Sequence, residues 1–123
     1  MAYQLGSRSL SNLQDVHTDL VRVAKRAIQI TKQDFTIIEG RRTFERQKVL
    51  VSTGKSRTMN SRHLTGHAID IVPWPISWEW EDFIPVVEAM RRAANELGIP
   101  VEHGFDWGWD APHHELSWEH YPK

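Results

Sequence analysis

Apolar residues recur at helical spacing in two long segments of the chain. The segment Asp19–Ile30 carries them at the i, i+3, i+4, i+7 and i+8 positions of one helix face, which are Leu20, Val23, Ala24, Ala27 and Ile28. A second amphipathic helix is predicted over Trp78–Leu97. Pro85 fits only into a first turn, so the start of that helix can lie later than Trp78. A shorter helix is predicted from about Thr43 to Ser52.

Short β-branched and aromatic segments predict the strands. Phe35–Glu39 and Ala68–Val72 are each closed by a glycine or a proline. Two further strands are predicted in the tail, near Pro100–His103 and His113–Trp118. Because helices and strands are mixed without strict βαβ alternation, the sequence predicts an α+β fold. No repeat or composition shift marks a linker, so residues 1–123 are interpreted as a single domain.

The composition argues against several classes of function. Lys plus Arg is 15 and Asp plus Glu is 16, giving a net charge of −1. This balance argues against binding of nucleic acid or of an anionic membrane through bulk charge. Cysteine is absent, which excludes disulfides, thiolate metal sites and cysteine nucleophiles. No apolar run is long enough for a signal peptide or a transmembrane span, and we expect the protein to stay in the compartment where it is made.

A first group of residues with metal-binding chemistry lies between Ser61 and Asp70, in the sequence SRHLTGHAID. His63 falls on a loop, and a glycine then permits a tight turn into the strand. Strand alternation places the two isoleucines on one side and Asp70 on the other. A carboxylate inside an apolar strand is costly unless it is paired or binds a metal, and imidazole with carboxylate suits Zn²⁺. The alternative is a surface loop whose aspartate caps a neighbouring backbone.

A second group, DWGWDAPHHEL at residues 106–116, offers a third ligand and further carboxylates. From the residues alone, either His113 or His114 fills the third position. Two histidines and one aspartate leave one coordination position open, as in a catalytic zinc site. A nearby carboxylate that does not bind the metal can then act as a base toward water. The alternative is a polar surface with aromatic packing.

An arginine at the exit of the first strand is a further candidate, in the segment GRRT at residues 40–43. Such an arginine can bind a carboxylate or stabilise an oxyanion, and the alternative is an ordinary surface arginine. Tryptophan is unusually frequent, with six residues. Trp107 and Trp109 flank Asp110 and are expected to line a cleft. The tryptophans expected to be core or helix-docking groups are Trp74, Trp78 and Trp80, and the alternative for these three is a platform that binds glycan or peptide.

Taken together, the two groups resemble a known family. Ser61-x-His63-x-x-Gly66-x-Ala68-x-Asp70 matches the SxHxxGxAxD signature of the zinc D,D-carboxypeptidases of the vancomycin-resistance type and of their relatives, the phage L-alanyl-D-glutamate endopeptidases. The stretch from Asp110 to Glu115 is similar to the later family motif, an acidic residue, two spacers and a histidine, followed one residue on by glutamate. The resemblance runs from about Leu10 to Leu116. It implies a small, mainly antiparallel sheet flanked by helices, as in the zinc D,D-peptidase and Hedgehog-like folds.

The resemblance also implies a role for each matching residue. The implied ligands of one zinc ion per chain are His63, Asp70 and His113. Asp110 is implied as the catalytic base, and Arg42, rather than Arg41, is implied near the scissile carbonyl with Gln47 in support. The remaining residues expected to contact substrate or to support the ligands are Ser61, Glu115, Trp107 and Trp109. His114 replaces a bulky aromatic residue of the family pattern and is a candidate competing ligand.

The implied function is that of a zinc metallopeptidase acting on peptidoglycan stem peptides, as a phage lysis enzyme that cuts between L-Ala and D-Glu. The close alternative is a D-Ala-D-Ala carboxypeptidase, and a different class is a zinc-containing module that binds peptide or cell wall without cleaving it. The expected partners are the stem peptide and, functionally, a phage pore protein (holin). We expect no nucleic acid, no stable membrane association, a monomeric state and no separate wall-binding domain. The protein is expected to wait in the host cytoplasm until the membrane opens and then to act in the periplasm.

Overall fold

The computed structural model describes residues 2–122, and these contain one antiparallel sheet of four strands. The strands are β1 (Phe35–Glu39), β2 (Ala68–Pro73), β3 (Val101–His103) and β4 (His113–Leu116). Their spatial order is β1-β2-β4-β3, so β2 has β1 on one side and β4 on the other. In this register Asp70 of β2 is paired with Glu39 on one side and with His113 on the other. The sheet itself therefore brings these three polar residues together.

Helices cover one face of the sheet and supply most of the core. The α-helices are α1 (Ser7–Asn12), α2 (Thr18–Ile30), α3 (Phe44–Ser52) and α4 (Ile84–Leu97), and 3₁₀ turns lie at Arg62–Thr65, Trp80–Phe83 and Gly104–Trp107. The apolar stripes of α2 and α4 pack against each other and against β1 and β2. The predicted α+β fold with a small antiparallel sheet is confirmed. Within residues 2–122, no helix combines the length and the apolar character needed to cross a membrane.

Strand β2 separates the core from the polar face of the sheet. Ile69 and Ile71 are fully buried in the main core, whereas Asp70 points to the opposite face and stays partly exposed. Val72, on the same side as Asp70, joins a smaller cluster that also contains Phe83. The predicted alternation is confirmed. The Asp70 carboxylate therefore lies on the polar face, between two residues that are fully buried in the main core.

The start of α4 is later than the predicted Trp78. The helix begins at Ile84, and Pro85 occupies its first turn, where a missing N–H costs nothing. The residues before it form the 3₁₀ turn Trp80–Phe83 instead of continuing the helix. The later helix start that Pro85 allowed is therefore the one observed.

The tryptophans after β2 were expected to be core or helix-docking groups, and the core part of that expectation is wrong. Trp74, Trp78 and Trp80 are 49%, 65% and 37% exposed. The small buried cluster is built from other residues, among them Phe83 and Val87, and Trp78 only contacts its Phe83 ring, at 6.3 Å between centroids. Trp80 stacks on Phe105 with 4.5 Å between ring centroids, a contact at the surface of the molecule.

Helix α1 is not predicted by the apolar pattern, because it is short and polar. Tertiary hydrogen bonds hold it against β1 instead. The Ser9 hydroxyl accepts from the Ile37 N–H at 2.9 Å, and the Asn12 side-chain amide donates to the Ile37 carbonyl at 2.8 Å. Strand β1 is at the edge of the sheet, with β2 on its other side, and these bonds give partners to the N–H and the carbonyl of Ile37 on the open edge.

Candidate metal centre and active-site cleft

The three predicted metal ligands converge on the polar face of the sheet. His63 sits in a 3₁₀ turn in which the Ser61 hydroxyl accepts from the His63 N–H at 3.2 Å. Gly66 ends this turn with a φ of +76°, and a Cβ there would collide with a neighbouring backbone carbonyl. Asp70 lies within β2, and His113 lies beside it on β4. Ligand atoms of the three side chains all lie within 4.8 Å of one another.

Each histidine is oriented by the ring nitrogen that faces away from Asp70. His63 donates from Nδ1 to the Gly40 carbonyl at 2.9 Å, and His113 donates from Nε2 to Oε1 of Glu115 at 2.8 Å. A carbonyl or carboxylate oxygen only accepts, so these bonds fix the tautomers of the neutral rings. The opposite nitrogens then face Oδ1 of Asp70, His63 Nε2 at 3.3 Å and His113 Nδ1 at 3.4 Å. Imidazoles held in this way present their lone pairs to a metal ion.

The electrostatics of the group favour a bound cation. Burial would raise the pKa of Asp70, but hydrogen bonds from His113 and His63 in their protonated forms, together with their charge, outweigh it and hold that pKa far below its usual range. Burial would likewise lower the pKa of His113, but its hydrogen bonds to Asp70 and Glu115 outweigh burial and raise the pKa to about 9. A proton on His113 or a metal ion in its place neutralises the surrounding carboxylates.

The donor set fits a divalent metal. Two imidazole nitrogens and one carboxylate oxygen are ligands typical of a catalytic site with one open position. Among residues 2–122, these three residues form the one such group of histidine and acidic side chains. The structure therefore brings together the three residues that the motifs single out.

His114 lies outside this group, because neighbouring residues of a strand alternate between faces. Its side chain is fully buried, and its Nδ1 lies 2.8 Å from Nδ1 of His103. Burial lowers the pKa of His103 to about 4 and also lowers that of His114, so the two rings are neutral and one donates to the other. His114 is thus not placed to compete for the metal.

Arg42 is held rigidly next to the metal group. Its guanidinium forms two hydrogen bonds of 2.8 Å to the Glu39 carboxylate and a third, also 2.8 Å, to the Gln47 side chain. Nη2 lies 3.8 Å from Oδ2 of Asp70. Gln47 is fully buried and donates in turn to the Thr58 carbonyl at 2.6 Å. The predicted support of Arg42 by Gln47 is observed as a direct contact.

Asp110 is the remaining acidic residue beside the group. It is half-buried, and burial raises the pKa of its carboxyl, with the charges of His113 and Asp70 acting in opposite directions. Its position is set by the backbone, because the His113 N–H donates to the Asp110 carbonyl at 3.1 Å. A carboxylate with a raised pKa, close to a metal group but outside it, has the chemistry of a general base.

A cleft of about 670 Å³ opens over these residues. Every predicted site residue lines it except the buried Gln47. The Trp107 ring lies 5.3 Å from the His113 ring, and Trp109 lies 5.9 Å beyond Trp107. The cleft residues that the sequence reasoning did not identify include Glu39, Lys55, Arg57, Arg62 and Trp118.

The sequence did not indicate Glu39 or Arg62 as residues of the cleft, for two different reasons. Glu39 ends β1 and Arg42 lies in the loop after it, and a three-residue spacing indicates an ion pair only on a helix, so their salt bridge depends on the loop conformation. Arg62 is buried and donates to the carbonyls of Leu116 and Tyr121 at 2.8 and 2.7 Å. Its partners lie more than fifty positions along the chain, so no local pattern indicates them.

Two histidines and one aspartate that could hold a metal ion, set in a cleft with a further carboxylate, are the arrangement expected of a metal-dependent hydrolase. Comparison with known proteins makes this specific. The family model of the phage L-alanyl-D-glutamate peptidases matches residues 1–120. The L-alanyl-D-glutamate peptidase of Escherichia phage T5 is 34% identical over 122 residues, covering 94% of this chain and 89% of that protein. The crystal structure of the Serratia marcescens L-Ala D-Glu endopeptidase ChiX matches with a TM-score of 0.93 and 43% identity, covering 99% of this chain and 96% of that one. The chain belongs to the phage L-alanyl-D-glutamate peptidase family, which confirms the resemblance found in its motifs.

Proposed function

We propose that this protein is a zinc endopeptidase that hydrolyses the bond between L-Ala and D-Glu in peptidoglycan stem peptides, as a phage lysis enzyme. The observation that carries the proposal is the placement of the metal group, Asp110 and Arg42 in one cleft. Family membership supplies the substrate class, since both relatives are named for this bond. A chain that only bound cell wall would need neither the half-buried carboxylate nor the anchored guanidinium.

His63, Asp70 and His113 would hold one zinc ion, and the oriented lone pairs of both imidazoles support this assignment. When bound, zinc supplies Lewis-acid chemistry that polarises the scissile carbonyl and makes water more acidic. These three side chains would leave one position of the ion available to substrate or water. Glu115 and the Gly40 carbonyl hold the rings in the required orientation.

Asp110 acts as the base. It accepts a proton from the attacking water, whose oxygen bonds to the L-Ala carbonyl carbon, and it passes the proton to the departing D-Glu nitrogen as the C–N bond breaks. Its raised pKa suits both halves of this task, because a stronger base accepts the proton more readily and still releases it to an amine.

Arg42 stabilises the negative charge that develops on the L-Ala carbonyl oxygen. A guanidinium fixed before the reaction begins is more effective than a mobile one, because no reorganisation is needed in the transition state. Glu39 and Gln47 provide this fixation through three hydrogen bonds. Ser61 contributes indirectly by holding the backbone of the turn that carries His63.

Digestion of purified peptidoglycan followed by mass analysis of the fragments tests the proposed bond. New N-terminal D-Glu is the expected result, and it should disappear when a chelator is added and return with zinc. Release of D-Ala would instead establish the carboxypeptidase alternative. Absence of any product, from protein shown to contain metal, would establish a binding module.

We further infer that the protein is a monomer that remains in the host cytoplasm until a phage pore protein opens the membrane. Membership of a phage peptidase family supports this sequence of events, and a net charge of −1 gives the chain little attraction to anionic lipid. Expression alone in a Gram-negative host should leave the cells intact, whereas permeabilisation should cause rapid lysis that depends on Asp110. Prompt lysis without a permeabilising agent would contradict the inference. Sedimentation of the purified protein tests the monomeric state.

A further inference from the structure

Two indole rings form an exposed ridge along one edge of the cleft. Trp107 is 41% exposed and Trp109 is 73% exposed, and their ring centroids lie 5.9 Å apart. Because Trp107 also lies 5.3 Å from the His113 ring, this indole ridge starts at the metal group and runs outward to solvent. Two large apolar side chains exposed together at a cleft indicate a contact surface for a ligand.

The loop that carries the indole ridge is fixed without any ligand. Gly108, between the two tryptophans, has a φ of +87°, a backbone conformation that an L side chain rarely adopts. Asp106 accepts two hydrogen bonds from Arg91 of α4, at 2.9 and 3.0 Å. Gly104 packs so tightly against Asp110 that a Cβ there would collide with the Asp110 backbone. The two rings are therefore presented in a preorganised arrangement, which lowers the entropic cost of binding.

The other flank of the cleft is cationic. Lys55 and Arg57 line it and are exposed, and no carboxylate in the part of the chain that the structure describes lies within ion-pair distance of either. Their segment is bonded at Thr58 to Gln47, which holds Arg42, and Arg42 in turn pairs with Glu39 at the end of β1. The indole ridge precedes β4, on the opposite side of β2. The basic segment is thus linked to the β1 side of the strand that carries Asp70, and the indole ridge to its β4 side, while both line the same cleft.

The stem peptide proposed as substrate also has two chemically different ends, a sugar on one side of the scissile bond and a carboxylate on the other. L-Ala is the first residue of the stem, and its nitrogen is joined through a lactyl amide to the muramyl sugar. The sugar is therefore only a few bonds from the scissile carbonyl and must lie next to the metal group. On the other side of the scissile bond, D-Glu carries a free carboxylate. A pyranose ring offers a C–H face that packs against the π face of an indole, whereas the carboxylate suits lysine and arginine.

We propose that the indole ridge binds the muramyl sugar while Lys55 and Arg57 face the D-Glu carboxylate, so that the cleft fixes the direction in which the stem lies. The proposal rests on the proposed function and adds a sugar subsite to it. The enzyme then recognises the glycan strand as well as the peptide, and Trp109 determines the preference for stems still attached to sugar.

The decisive comparison uses two substrates with the same stem, one carrying the disaccharide and one a free peptide beginning with L-Ala. Trp109→Ala should lower kcat/KM about tenfold on the sugar-linked substrate and less than about twofold on the free peptide. Trp78→Ala is the matched control, because Trp78 is 65% exposed but does not line the cleft. It should change neither value. Lys55→Gln combined with Arg57→Gln should lower both values by the same factor, since both substrates contain D-Glu.

A separate binding measurement distinguishes failure of the subsite from failure of the proposed function. Titration with N-acetylmuramyl-L-alanine, followed by NMR, should show binding to the wild type that Trp109→Ala weakens about tenfold. Equal effects of Trp109→Ala on the two substrates, or unchanged binding of the sugar compound, would overturn the sugar subsite even if the enzyme is active. Trp109-dependent binding by a wild type that cuts neither substrate would support the subsite and refute the peptidase function.

Discussion

Replacing Glu115 with alanine tests whether the orientation of His113 sets the metal affinity. Glu115 is 6% exposed, and its carboxylate accepts the His113 Nε2–H at 2.8 Å. Without this carboxylate, the buried Nε2–H of His113 has no acceptor. The His113 ring is then free to turn or to adopt the other tautomer. Loss of such an outer hydrogen bond weakens metal binding about 10- to 100-fold, or about 1.4–2.7 kcal/mol.

The expected loss has a characteristic dependence on pH. Glu115 also helps to raise the pKa of His113 to about 9, so at neutral pH a proton competes with the metal for that ring. Glu115→Ala also lowers the pKa of His113, so the proton competes less strongly with zinc. This partly offsets the loss of zinc affinity at pH 7. The difference from wild type should therefore grow as the pH approaches 9.

Competition with a chelator of known zinc affinity, at pH 7 and pH 9, measures both effects. Glu115→Gln keeps an acceptor oxygen and should lose only part of the affinity. Glu102→Ala is the control, because Glu102 is the exposed cross-strand neighbour of Glu115 on β3 and should bind zinc as the wild type does. Wild-type affinity in Glu115→Ala at both pH values would refute the reasoning, provided that its circular dichroism shows a folded chain.

Three other predictions follow from the same geometry. Asp110→Asn should keep its zinc and lose about 10²- to 10⁴-fold in kcat, measured by metal analysis and peptide hydrolysis; loss of metal would make Asp110 a ligand instead. Arg42→Lys should keep zinc but lose about 10- to 100-fold in kcat, because lysine cannot form the forked contact with Glu39; full activity would exclude oxyanion stabilisation by the guanidinium. His103 has a folded pKa of about 4, below the unfolded value of about 6.5, so its contribution to stability is complete above pH 6.5 and is lost as the pH falls toward 4. His103→Gln should therefore flatten the fall in unfolding free energy, which for this residue is about 1.4 kcal/mol per pH unit below pH 6.5; an unchanged urea-unfolding profile, matching the exposed control His120→Gln, would contradict it.

The sequence alone predicted those helices and strands whose hydrophobic pattern repeats within the element itself. The apolar stripe of α2 repeats within thirteen residues, and the alternation of β2 within six, so neither needs knowledge of the rest of the chain. The residues from Ser61 to Asp70 offered a candidate metal site, because one turn and one strand can place a histidine beside an aspartate, and the family resemblance assigned His63 and Asp70 as ligands. The family pattern extended this to Asp110 and Glu115.

Only the tertiary structure decided which residues of distant segments meet. The residues alone left His113 and His114 open, and the family resemblance favoured His113; the physical reason is the β2–β4 register, which pairs Asp70 with His113 and sends His114 to the opposite face and to His103. A shift of one residue in that register would have reversed the choice. The exposure of Trp78 was beyond the sequence for the same reason. Periodicity shows that a residue can be buried, but whether space remains for it depends on side chains supplied by other parts of the chain.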